Sequence, residues 1–279
     1  MADGTGAPAG CRTGRVTRGM RLYFKYMSIL FKSQMQYRTS FVLLCVGQFF
    51  IPFTVFAGMY FLFERFGELR GWTFHETALC YGVIHMAFSV AECFARGFDS
   101  FARLIVGGEF DRLLVRPRGT VVQVLGSNFE FTRFGRMLQS AVVLGIAVTG
   151  LSVHWTPAKI MTLILMIVGG VIVFSGIFIL AAAFCFWTVQ GVEVGNLFTN
   201  GGKEMAQYPL NIYAKWVTRF FTFIIPFGAV SYLPLLYILD RTDGPDLLYM
   251  TMPLASLLFL APCLLAWRIG VRHYRSTGS

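Results

Sequence analysis

The chain has 279 residues, of which 56% are hydrophobic, 29 are Phe and only 14% are charged. Soluble domains carry about 25% charged residues, so a soluble globular fold is excluded, and repeated long apolar runs identify an all-α polytopic membrane protein. The net charge of +10 would by itself suit nucleic acid, but its distribution along the chain follows membrane orientation instead, so no nucleic acid partner is expected.

Residues 1–17 are rich in Gly and Arg and predict a disordered tail; no apolar signal segment is visible in them. Arg18–Arg38 predicts an interfacial helix. Met20, Tyr23, Phe24, Met27, Leu30, Phe31 and Met35 share one face, and Arg21, Lys25, Ser28, Lys32 and Gln36 the other. Phe41–Phe63 is uncharged and long enough to span, with a kink expected at Pro52. Glu64–Phe74 is a short polar connection, and Thr77–Ala95 is the second span.

Arg96–Thr120 follows as a loop outside the bilayer. Gly107 and Gly108 free the backbone to turn, and Glu109 and Asp111 suit a helix N-terminus. Phe110, Leu113 and Leu114 fall at i, i+3, i+4 on one apolar face, with Arg112 and Arg116 beside them, and Pro117 ends the helix. A helix of about two turns is unstable alone and needs a packing partner. Two readings meet that need, a helix lying on lipid and a docking helix for a cytoplasmic partner; the two acids weigh against anionic lipid.

The third span is expected at about Met137–Val153, with Ala141, Gly145 and Thr149 at a spacing that lets another helix approach. Ile160–Gln190 predicts a long fourth span, bent easily at Gly169, Gly170 and Gly176. Glu193–Tyr208 predicts a polar joint closed by Pro209. Pro226 and Pro234 then break an apolar stretch, giving a fifth span at about Asn211–Ile225 and a short re-entrant helix at about Gly228–Leu239. Leu247–Trp267 is the sixth span.

With the N-terminus in the cytoplasm, seven Lys and Arg precede the first span and seven lie from Arg96 to Arg136. Lys203, Lys215 and Arg219, then Arg268, Arg272 and Arg275, complete the inside set, and only Arg65, Arg70, Lys159 and Arg241 of the 24 fall outside. The positive-inside rule places both termini and the central loop in the cytoplasm.

Catalytic signatures are absent. Gly201-Gly202-Lys203-Glu204 lacks the first glycine and the Ser or Thr of a phosphate-binding loop, so any ATP is held by another chain. The six cysteines are scattered without a CxxC pair, and neither disulfides nor a metal site is expected. Four intramembrane polar residues are candidates for a substrate path: Gln48 in the first span, and Tyr81, His85 and Glu92 on one face of the second. Glu92 has a simpler role open to it, an ion pair with Arg96 at i+4, and His85 suits either a satisfied buried histidine or a pathway residue.

These features together resemble the membrane subunits of ATP-binding-cassette exporters of the type-two permease family, across nearly the whole chain after Arg18. Gly107-Gly108-Glu109-Phe110-Asp111-Arg112-Leu113-Leu114-Val115-Arg116-Pro117 is similar to the coupling loop of one bacterial branch, and Gln207-Tyr208-Pro209 and Phe223-Ile224-Ile225-Pro226 are similar to it as well. The resemblance implies that residues 18–279 form one permease domain in the bacterial inner membrane. It implies that the helix around Glu109, Phe110, Asp111, Arg112, Leu113, Leu114 and Arg116 sits in a groove of the ATPase, and that spans one, two and five surround the path. It further implies pairing with a second permease, two cytoplasmic ATPase chains that hold ATP and magnesium, and export of an amphipathic or lipid-like substrate. The rival classes are a secondary transporter driven by an ion gradient through His85 and Glu92, and a membrane-embedded enzyme. Against the first, the sequence shows no repeat and no paired discontinuous helices.

Overall fold

The computed structural model describes residues 23–188 and 191–274; the expected tail at residues 1–17 and the start of the interfacial helix at Arg18 lie outside the described residues. The described chain is helical, and among the described residues there is no strand. Helix α1 (residues 23–34) is joined to α2 (Arg38–Phe66) by a 3-10 turn at Met35–Tyr37, where Tyr37 leaves helical dihedrals with ψ 68°. Pro52 lies inside α2 without ending it, and the hydroxyl of Tyr81 donates to the Pro52 carbonyl oxygen at 2.7 Å. Gly67, with φ 75°, closes α2 in a conformation that a side chain would strain.

Helix α3 (Phe74–Phe94) opens with a capping box in which Thr73 and Glu76 satisfy each other's backbone donors. It is buried on every side and is the central post of the bundle. Helix α8 (Phe134–Gly150) packs along it, and α9 (Pro157–Phe184) crosses both α3 and the last helix. Between α3 and α8 the loop folds into four short helices, α4 (Arg96–Asp99), α5 (Phe101–Val106), α6 (Glu109–Leu114) and α7 (Thr120–Leu125). The chain ends with α13 (Asp246–Thr251) and α14 (Ala255–His273), linked by a 3-10 turn.

The bundle has two ends. At the loop end, Phe110 of α6 meets Trp267 and Tyr274 from the close of α14 and Phe186 from the close of α9. At the far end the start of α3 and of α9 meet the segment after Ile238, through Arg241–Glu76 at 2.8 Å and Lys159–Asp240 at 2.7 Å.

The segment between α9 and α13 corrects the expected fifth span. Residues 211–225 hold the end of a 3-10 turn (Leu210–Ile212), extended backbone at Tyr213 and then the nine-residue α11 (Lys215–Phe223). The stretch expected to be a polar joint is the 16-residue helix α10 (Gly191–Ala206). It starts at the loop end, where Gly195 lies against Ala181. It finishes toward the far end, where Asn211 accepts a 2.9 Å hydrogen bond from the indole of Trp72. Buried Thr199, Gly202 and Ala206 give it an apolar inner side, while its polar residues lower its mean hydropathy below that of 211–225. A π-helical turn (Gly228–Tyr232) and α12 (Leu233–Ile238) follow α11, bent 86° from it, and return to the far end. The pair α11 and α12 has the geometry of a broken span or of a re-entrant hairpin.

Other expectations shift less. The third and fourth helices begin three residues earlier than expected, and α9 ends at Phe184 rather than near residue 190. Thr156 caps α9 and Pro157 occupies its first turn, which explains the earlier start. Gly169, Gly170 and Gly176 do not bend α9; they admit Pro253, Ala87 and Phe259 close to its backbone. Ala141, Gly145 and Thr149 face outward, and Gly145 has no neighbour where a Cβ would stand. The close approach is at Gly135 instead, where a Cβ would collide with the Cys45 carbonyl oxygen of α2.

Among the described residues, four helical stretches are long and apolar enough to cross a membrane, Tyr23–Phe66, Phe74–Phe94, Pro157–Phe184 and Asp246–His273, or five if the bent pair α11 and α12 is one span. The position of α10 makes a direct prediction. Cysteines placed at Lys215 and at Arg70 should be labelled from the same side of the membrane, and one at Arg118 only from the other. Labelling of position 215 together with 118 would restore the expected fifth span and refute the hairpin.

Candidate functional site: the connecting loop and its ion cluster

The loop from Arg96 to Gly126 is fixed to the bundle from inside. Gly108 adopts φ 64°, the left-handed conformation that glycine takes without cost, and this turns the chain into α6. Phe110 is then driven inward and is fully buried. Its ring stands edge-on to Phe101 and Tyr274, each at 5.0 Å, and contacts Phe186 at 5.6 Å. Burial, with the Asp111 carboxylate beside it, pushes the Tyr274 hydroxyl up from its ordinary pKa. The Gln123 side chain donates to the carbonyl oxygens of Leu113 and Arg118 at 3.1 and 3.0 Å, holding the chain that leaves α6. The Trp267 indole donates to the Thr120 hydroxyl at 3.2 Å.

This corrects the expected docking face. Phe110, Leu113 and Leu114 do not act together: Phe110 is internal, Leu113 is half-buried against the same cluster, and Leu114 is exposed. The outward surface is made by Glu109, Arg112, Leu114 and Arg116, joined by Val106 at 67% exposure and Val115 at 86%. Asp111 is half-buried. The packing partner that a six-residue helix requires is this chain's own aromatic cluster, which leaves the opposite face uncovered.

Where α3 meets the loop, Glu92 is buried among three arginines. Its carboxylate lies 3.3 Å from Arg96, 3.4 Å from Arg133 and 2.7 Å from Arg136. Glu130 bridges Arg96 and Arg133 at 3.1 and 3.2 Å, and Asp99 meets Arg96 at 2.6 Å. Burial pushes the Asp99 carboxyl up from its ordinary value, and Arg96 draws it partly back. Arg133 also donates to the Gln48 side-chain oxygen at 2.8 Å. The Glu92–Arg96 pair that the sequence suggests is thus one edge of a larger cluster that joins α2, α3, α4 and α8.

The four expected path residues are not brought to one open surface. Gln48 serves Arg133, and Tyr81 is buried and bonded to α2. His85 is buried, stacks on Tyr81 with centroids 3.9 Å apart, and shares a 3.0 Å hydrogen bond with Gln207. Gln207 in turn donates to Glu204 at 2.7 Å, and Glu204 pairs with Lys203 at 2.9 Å. Glu92 lines a cavity of about 380 Å³ at the start of α10. Sequence reasoning missed α10 as the carrier of polar groups, although Asn196, Asn200 and Glu204 at four-residue intervals were visible as one helix face. It also missed Gln123 and Trp267, whose roles depend on contacts distant along the chain. Among the described residues no group of His, Cys, Asp and Glu is placed to hold a metal ion.

Comparison with known proteins gives one match: the model of the family described as ABC-2 family transporter protein matches residues 49–278, most of the chain. No curated protein and no solved structure matches.

The ion cluster yields a stability prediction. Removing Glu92, the acid that all three arginines share, leaves positive charge that Glu130 and Asp99 compensate only in part, at a cost of up to about 3–5 kcal/mol. Glu92→Gln should lower the unfolding temperature of the solubilised protein clearly, while Glu92→Asp restores part of it. Unchanged melting of Glu92→Gln would show that the arginines are solvated and the cluster is ornamental.

Proposed function

Because the chain belongs to the ABC-2 transporter family, a membrane transport component of an ABC system that works with ABC ATPase subunits, we propose that it is the permease of an exporter whose loop end receives those subunits. The observation that carries this reading is the two-sided loop. Its inner face is welded to α9 and α14 through Phe110, and its outer face offers Val106, Leu114 and Val115 among arginines. A small apolar patch ringed by charge suits a protein partner: buried apolar anchors supply affinity and the charges supply orientation and encounter rate. A loop held this tightly passes a push from the ATPase to α14 through Phe110–Trp267, and to α3 and α8 through Arg96, Glu92 and Arg136.

In this reading α2, α3, α8, α9, α10 and α14 cross the membrane. α8 and α10, with 17 and 16 residues, are at the short end of what a bilayer accepts. Seventeen Lys and Arg then belong by sequence position to the loop end and six to the far end, with Lys203 between. That imbalance supports a cytoplasmic loop and cytoplasmic termini in a bacterial inner membrane. One copy supplies half of the path, a second permease the other half, and two ATPase chains bring ATP and magnesium. The cargo is amphipathic and leaves the cell. A secondary transporter using His85 and Glu92 is disfavoured by their surroundings, since Glu92 is committed to three arginines and His85 to Gln207.

The test separates the two faces of the loop. Leu114→Asp with Val115→Asp should leave the permease inserted and its melting unchanged, yet reduce capture of the ATPase by at least about tenfold, since losing hot-spot contacts worth 2 kcal/mol or more has that scale. Phe110→Ala should instead lower melting, because emptying a buried aromatic site costs about 3–5 kcal/mol. Full ATPase capture by the double Asp variant would overturn the assignment of this face.

A further inference from the structure

Helix α10 presents two sides. Gly195, Thr199, Gly202 and Ala206 are buried, with Gly195 against Ala181 and Gly202 against Phe227. Asn196, Asn200 and Glu204, at i, i+4 and i+8, line the other side and are exposed, Glu204 with 49% of its side chain open. The carboxamides of Asn196 and Asn200 have no partner among the described residues. A crossing helix cannot turn such groups to lipid, where each unsatisfied polar group costs several kcal/mol as an order of magnitude. Something polar must cover this face.

What covers it is indicated at the helix's first turns. Asn196 and Asn200 also line the cavity of about 380 Å³ at the loop end, whose other walls include Glu92, Arg96, Asp99 and Arg103. The polar face therefore continues from an open, water-sized vestibule, and does not lie as an isolated patch suited to a second protein. The charges on the vestibule walls balance in number, two arginines against two acids, with Arg133 and Arg136 reaching Glu92 from behind. Arg96 and Arg103 stand with Glu92 and Asp99 in the vestibule, and Lys203 stands with Glu204 further along. Glu204 is held in place by Gln207, and Lys203 lies over the Phe88 ring, its Nζ 5.3 Å from the centroid. A ligand group with a single net charge would have to open one of these pairs and leave a charge unmatched in a low-dielectric setting. A group rich in hydroxyls or amides, or one carrying both signs, would not.

Resting on the permease reading above, we propose that the Asn196–Asn200–Glu204 face of α10 and the vestibule at its start form a hydrophilic track for the polar group of the cargo. The class of group it takes is hydrogen-bonding and without net charge. Asn196 and Asn200 offer paired donors and acceptors along the track, and the Lys203–Glu204 pair marks its inner limit. The hydrocarbon part of the cargo stays outside the track.

The experiment uses the full chain with its native cysteines replaced, in inside-out vesicles, carrying Asn196→Cys, Asn200→Cys or, as a control, Phe198→Cys, an exposed apolar position turned away from Asn200 around the helix. The probes are two water-soluble methanethiosulfonates, one bearing a sulfonate and one a trimethylammonium group. Thiols react through the solvated thiolate, so positions 196 and 200 should react about tenfold or more faster than 198. A track of balanced charge should give the two probes rates within about threefold of each other. Adding Glu204→Gln, which leaves Lys203 unmatched, should then favour the sulfonate probe at position 200 several-fold. If 196 and 200 react as slowly as 198, protein such as a second copy covers the face and the track is refuted. If one probe outruns the other by more than about tenfold without Glu204→Gln, the neutral-group class is refuted. Capture of the ATPase by the same preparations is scored separately: an inert face with the ATPase bound overturns only the track, and a reactive face with no ATPase overturns only the permease reading.

Discussion

The structure depends on one buried carboxylate. Glu92 sits where the central helix gives way to the connecting loop, and three guanidinium groups converge on it. Each arginine comes from a different local context: Arg96 begins the loop, Arg133 closes the 3-10 turn at Phe131–Arg133, and Arg136 lies in the first turn of α8. Without a shared acid these groups would repel one another and draw water into the end of the bundle. With it, three helices and a loop meet at a charged point that opens on one side to the cavity beside α10. The Gln48 contact brings α2 into the same point.

The second organising element is the aromatic cluster around Phe110. Phe98, Phe101, Phe110, Phe186 and Trp267 form a set of edge-on and tilted contacts between 4.9 and 6.3 Å. Such geometry adds to simple burial because ring edges meet ring faces. The cluster and the ion network bind opposite ends of the same loop, one through apolar contact and one through charge. Salt would weaken the exposed part of the second and leave the first untouched.

Much of this was legible in the sequence, for reasons that can be named. Long uncharged runs such as Phe41–Phe63 and Ile160 onward predict helices because a bilayer leaves the backbone no alternative. Pro226 and Pro234 marked the broken segment because proline removes a donor and fixes φ. Gly108 marked the turn into α6. What was not legible depends on tertiary contact. Phe110, Leu113 and Leu114 share helical spacing, and spacing alone does not say whether the partner for that face is another chain or the far end of this one. The breaks at Pro226 and Pro234 place the fifth span at about 211–225 in the sequence. They carry no information on 191–206, which forms a helix that buries one side and keeps its polar residues on the other. His85 was recognised as an intramembrane polar residue, but its partner Gln207 lies 122 positions away.

The division of the loop into an inner and an outer face also bears on how such a chain can change over time. Phe101, Phe110, Thr120, Gln123 and Trp267 are held by other groups of this chain, so an alteration at any of them must be matched within the same polypeptide. Val106, Arg112, Leu114 and Val115 answer to whatever lies beyond the surface. A lineage that exchanged one energy-supplying partner for another would rewrite the second set freely and keep the first. The six-residue helix between them would stay in place, with two histories on its two sides.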